Sequence, residues 1–127
     1  MKNPFIVIYP TGKIMGHNPI NRVYASLRAL DVVSSQAEFC KDWLGRSESY
    51  LRGLRFHHAE PAVSVVALCA SRLQHYGEQL AVKGTYPRGA ALLLELSDEC
   101  NHWIFEHSRR QWLPQKGFVA QNPMAAV

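Results

Sequence analysis

A chain of 127 residues and 14.4 kDa has room for one hydrophobic core and not for two of ordinary size, so its work belongs to a single module. Fourteen Lys and Arg against ten Asp and Glu give a net charge of +4 and a pI near 9.2, which suits a polyanionic partner without demanding one. No run approaches the roughly 20 apolar residues of a membrane span, which argues for a soluble protein. The three cysteines, Cys40, Cys69 and Cys100, lie in apolar helical patterns without a C-x-x-C pair, as expected of reduced core residues in a cytoplasmic protein.

In chain order, residues 5 to 9, Phe-Ile-Val-Ile-Tyr, are β-branched and aromatic and end at Pro10-Thr11-Gly12. This predicts a short strand and turn, either pairing with its copy in a dimer or serving as an arm. The apolar run is too short for a secretory signal and has no small-residue cleavage site. Met15 offers an alternative start, because helical patterning begins only after it. Asn18-Pro19 opens the first helix, with Asn as N-cap and Pro at the first helical position. Ile20, Val23, Tyr24, Leu27 and Leu30 then recur at i, i+3, i+4, i+7 and i+10.

Ser35-x-x-Glu38 is a capping box, and Phe39, Cys40, Trp43 and Leu44 give the second helix a buried side before Gly45 stops it. Ser47 is placed to cap a third helix, with Tyr50, Leu51 and Leu54 inward and Glu48, Ser49, Arg52 and Arg55 outward. After His57-His58, Pro61 suits the first turn of a fourth helix that buries Val63, Val66, Leu68, Cys69 and Leu73. Residues 83 to 89, Lys-Gly-Thr-Tyr-Pro-Arg-Gly, interrupt it. A last helix from Ala90 to about Leu113 carries Leu93, Leu96, Cys100, Trp103 and His107 at 3-4 spacing, broadened by Leu92 and Ile104. That stripe is wide enough for the core and for a partner chain.

The expected organisation is all-α: a compact bundle of about five helices, with a short N-terminal strand or arm over 1–17 and a helix-turn-helix domain over 18–82. The long C-terminal helix, 83–113, is the candidate dimerisation element, and 114–127 an irregular tail.

The order capped helix, turn, polar-faced helix, Pro-containing loop, helix is similar to the helix-turn-helix of the Xre/Cro phage-repressor superfamily. The matching residues run from about Ile20 to Leu73. Ser35-Gln36 stands where that family has a Ser/Thr-Gln pair, Gly45 and Ser47 where a Gly closes one helix and a Ser opens the next, and Arg55 through Glu60-Pro61 where the following loop carries a basic residue and Pro. More narrowly, VYASLRAL…FCKDWLGRSESYLRGLR…EP resembles a group of small proteobacterial helix-turn-helix proteins with a W-L-G-[KR]-S-x-S-Y core. Two departures stand out: the spacing from Cys40 to Gly45 is one residue longer than the usual pattern, and Glu48 is acidic where the superfamily often has a basic or amide side chain.

The resemblance implies a dimeric, sequence-specific transcriptional regulator that presents its third helix to the major groove of double-stranded DNA. On that register Ser47, Ser49 and Tyr50 lie at the helix opening, Arg52 can fork to a guanine, and Glu48 can accept from a cytosine amino group. Arg46 and Arg55, with Lys41, lie near phosphates, and Gln36 points its amide and the helix start at the backbone. Read without the resemblance, the same caps and arginines suit any small bundle. The alternative from another class is a protein-contact module, antiactivator or antitoxin-like, which Glu48 favours.

Other chemistry has less support. His57-His58 can touch phosphates or be plain loop residues. Cys100, His102, His107 and Glu99 invite a metal, but positions 100 and 102 face different sides of a helix. Trp103 and Trp112 are candidate partner-facing anchors, with the core the more usual place for Trp103. With no nucleophile elbow and no phosphate-cradling Gly loop, no enzyme, cofactor or metal is expected.

Overall fold

The structure, a computed structural model, describes residues 18–113; the expected strand or arm over 1–17 and the tail over 114–127 lie outside the described residues. The described residues are all-α, with five helices: α1 (Ile20–Ala29), α2 (Gln36–Asp42), α3 (Tyr50–Phe56), α4 (Val63–Lys83) and α5 (Pro87–Trp112). No helix among them is long and apolar enough to cross a membrane.

Each boundary has a local cause. Asn18 Oδ1 accepts from the Ile20 N–H at 2.9 Å, while the Pro19 carbonyl already accepts from Val23. α1 ends in a Schellman motif whose left-handed residue is Asp31, φ 64°: Asp31 N–H donates to the Arg28 carbonyl and Val32 N–H to that of Leu27. α3 ends the same way on His58, φ 51°, with His58 N–H to Arg55 and Ala59 N–H to Leu54. Thus His58 has a backbone task in this loop, as the left-handed residue that ends α3.

Five boundaries differ from the expected ones. Pro19 is the N-cap of α1 rather than its first helical residue, and α2 ends at Asp42, with Trp43 as its C-cap, rather than at Gly45. Ser47 does not cap α3: the helix starts at Tyr50 after Ser49, and Ser47 instead accepts the Tyr50 N–H through its carbonyl in a preceding turn. Pro61 precedes the Ala62 N-cap of α4 rather than joining its first turn. Pro87 occupies the first turn of α5, which therefore begins three residues before Ala90.

α4 and α5 form a long hairpin. Gly84, φ 71°, closes α4 by donating to the Leu80 carbonyl, and a link of three residues, 84–86, forces the helices antiparallel. Gly77 lets them approach, since a Cβ there would sit 2.8 Å from Leu94 Cδ2. Buried Ser97 donates to the Ala70 carbonyl at 2.9 Å across the same seam.

The three short helices cover one side of this hairpin. Ile20, Val23, Leu27, Phe39, Cys40, Leu44 and Leu51 share a single buried cluster with Val66, Cys69, Leu73, Leu93, Leu96 and Cys100. Polar ties fix the arrangement: Arg22 pairs with Glu95 at 3.6 Å and with buried Glu99, linking α1 to α5, and Arg72 of α4 donates to the Asp42 carbonyl at the end of α2. Leu68, expected inward, is 36% exposed and lies against the α2–α3 connection, with Cδ2 3.0 Å from where a Gly45 Cβ would be.

Candidate nucleic-acid interface

α2 is positioned by its cap. Ser35 Oγ accepts from the Glu38 N–H at 3.1 Å, and Glu38 Oε1 reaches one residue further back than in the usual box, accepting from the Ser34 N–H at 2.9 Å and the Ser34 hydroxyl at 2.7 Å. The Ser34 backbone donor, and after it the Ser34 hydroxyl, hold the Glu38 carboxyl below the ordinary carboxylate range. Behind the cap, Phe39 packs on Tyr24 of α1 with ring centroids 5.3 Å apart.

The α2–α3 connection, residues 43–49, is longer than the three or four residues usual in a helix-turn-helix. Within it Trp43 and Leu44 turn into the core. Arg46 then donates its N–H back to the Cys40 carbonyl at 2.9 Å, and Gly45 takes φ 66°. The chain is thereby brought back so that α3 lies against α2 with its polar residues outward.

Five of the eight expected residues come together: Gln36, Ser47, Glu48, Ser49 and Arg52 line one open concavity of about 470 Å³. A sixth, Arg55, reaches across from α3, its Nη2 donating to Gln36 Oε1 at 3.4 Å. The Ser47 and Ser49 hydroxyls are 3.5 Å apart. Arg52 is exposed and makes no polar contact among the described residues.

Two residues are placed differently. Arg46 lies over the Tyr50 ring, 5.8 Å from its centroid, outside the concavity. Tyr50 is half-buried, and its hydroxyl accepts from the Ala62 N–H at 3.4 Å, which ties the start of α3 to the start of α4. The Tyr50 ring thus lies on the inward side expected of it, at the edge of the core cluster. Sequence reasoning passed over Ala37, whose small side chain completes the concavity; its place beside Gln36 in the first turn of α2 was the available signal.

The electrostatics of this face are mixed. Lys41 Nζ lies 3.8 Å from Glu48 Oε2, so the acid at position 48 is partly offset by the cation that was expected near phosphates. Over residues 18–113 the chain carries eleven Lys and Arg and ten Asp and Glu, whereas Lys2, Lys13 and Lys116 outside that range are accompanied by no acid.

The metal and anchor candidates are also located. Cys100 is buried while His102 is exposed, on different sides of α5, and among the described residues no three His, Cys, Asp or Glu groups are arranged to hold a metal ion. His107 stacks on Trp103 at 4.7 Å and has Nδ1 3.5 Å from Glu60 Oε1. Trp103 belongs to the core, and Trp112 is exposed.

Neither the curated proteins nor the solved structures contain a significant match to this sequence. A family model described as "Family of unknown function (DUF6626)" matches residues 20–113, the span from the first residue of α1 to the residue after α5, and the chain belongs to that family.

Proposed function

We propose that the protein binds double-stranded DNA through the α2–α3 face, as a cytoplasmic transcriptional regulator of the Xre/Cro helix-turn-helix kind that works as a dimer. The observation that carries this reading is Arg52: an exposed guanidinium with no polar partner among the described residues, in an open concavity beside Gln36, Ser47 and Ser49. A planar fork of donors among hydroxyls and an amide suits a guanine edge flanked by phosphate contacts. The three cysteines are free and buried, which agrees with a reducing compartment.

The test is binding of the full chain to a labelled random duplex, followed by selection of bound sequences. Affinity should fall steeply between roughly 50 and 200 mM salt. Arg52→Ala should weaken binding to the selected site by about 1–3 kcal/mol while altering random-duplex binding little. Equal losses on both duplexes would remove Arg52 as a base reader.

A second reading, a protein-contact module of antiactivator or antitoxin type, is favoured by the Lys41–Glu48 pair on the face and by the near balance of charge over residues 18–113. It predicts no salt-dependent affinity for any duplex.

A further inference from the structure

On the other side of α2 a concavity of about 580 Å³ opens between the segment after α1, the end of α2, and the α4–α5 hairpin. Its size is that of a small-molecule site. Its open apolar surface comes from Val32, Tyr76 and Leu80, with buried Trp43 and Leu93 behind them; the Trp43 ring is 5.5 Å from that of Tyr76 at an interplanar angle of 51°. Tyr76 is 43% exposed, so part of its ring, which also meets His75 edge-on at 4.9 Å, is open to a ligand.

The polar groups have a sign. Arg72 donates through Nη1 to the Asp42 carbonyl, which fixes the guanidinium at the rim and leaves its other N–H donors. Lys83, the last residue of α4, is exposed and makes no polar contact among the described residues. Against these two cations stands one acid, Asp42. We infer that this cavity binds a small aromatic carboxylate, its ring against Tyr76 and its anion between Arg72 and Lys83. A carboxylate matches the guanidinium fork, and an aromatic body matches the exposed ring of Tyr76, which buried Trp43 backs from the core side. The site is separate from the α2–α3 face and does not depend on what that face contacts.

The experiment uses the full-length chain with 2-naphthoate as probe, followed by calorimetry and by the perturbation of backbone amide signals. Saturable one-to-one binding is expected, with shifts at Val32, Tyr76 and Lys83. The neutral 2-naphthalenemethanol should bind more weakly, and Lys83→Gln should weaken naphthoate roughly two- to fivefold, as loss of one exposed charge partner does. Val32→Trp, at an exposed position on the rim, should fill the cavity and abolish binding. Lack of saturation, equal affinity for the alcohol and the carboxylate, or unchanged affinity in Lys83→Gln would each overturn the assignment; Lys83→Gln removes no contact that holds the fold, so it remains decisive even if Val32→Trp does not fold.

Discussion

Gly77 shows how one side chain, or its absence, decides a contact between elements. By helix propensity alone an interior Gly→Ala change stabilises by about 1 kcal/mol. At this position the added Cβ would lie 2.8 Å from Leu94 Cδ2, 2.9 Å from Leu94 Cγ and 3.3 Å from Leu93 Cβ. Because Leu94 Cγ and Leu93 Cβ lie close to their backbone, relief requires α4 and α5 to move apart. Gly77→Ala should therefore lower stability by about 1–3 kcal/mol despite its better propensity. Urea denaturation measures this, and a raised midpoint would show that the hairpin repacks without cost. Cys100 belongs to the same interior: a hydrogen bond with Cys69, then burial, push its thiol pKa well up, so it sits in the core as a protonated, unreactive group.

Among the elements, α2 depends most on a local device, since seven residues are too few to hold a helix by propensity. Ser35→Ala should cost about 1 kcal/mol through loss of the Glu38 N–H acceptor. The reciprocal half of the cap depends on pH. The Glu38 pKa is lowered in the folded chain, so its contribution is complete above the unfolded carboxylate value of about 4.3 and is lost as pH falls through the lower folded value. Acid titration of stability should accordingly be steeper for the wild type than for Glu38→Gln, and parallel curves would refute the role of the Ser34–Glu38 bonds. The capping box was legible because Ser-x-x-Glu is a local code read over four residues. The ends of α1 and α3 were not, because Asp31 and His58 take the left-handed conformation that sequence patterns assign to Gly.

For the whole molecule, α5 contributes one face to the core through Leu93, Leu96, Cys100 and Trp103, and exposes another. Phe105 and Trp112, seven residues apart on one side of the helix, are 64% and 68% exposed. If α5 builds the proposed dimer, sedimentation should show a dimer that the double variant Phe105→Ser, Trp112→Ser converts to monomer with its helix content intact. A wild-type chain that stays monomeric at every concentration would remove the dimer from the proposal and leave the α2–α3 face to be judged alone.

The sequence by itself determined the number of helices, the capping of α2, the inward set Phe39, Cys40, Trp43 and Leu51, and the outward placement of Glu48, Ser49, Arg52 and Arg55. These follow from period and from neighbours within a few residues, which any reading of the chain contains. Only the tertiary structure decided that Leu68 lies over Gly45, that Tyr50 is held by Ala62, that Glu48 faces Lys41, and that Trp43 and Tyr76 frame a second concavity. Each of these joins two elements through the path of the chain between them. The left-handed turns at Asp31, Gly45 and His58 set that path, and periodicity along a single helix carries no record of it.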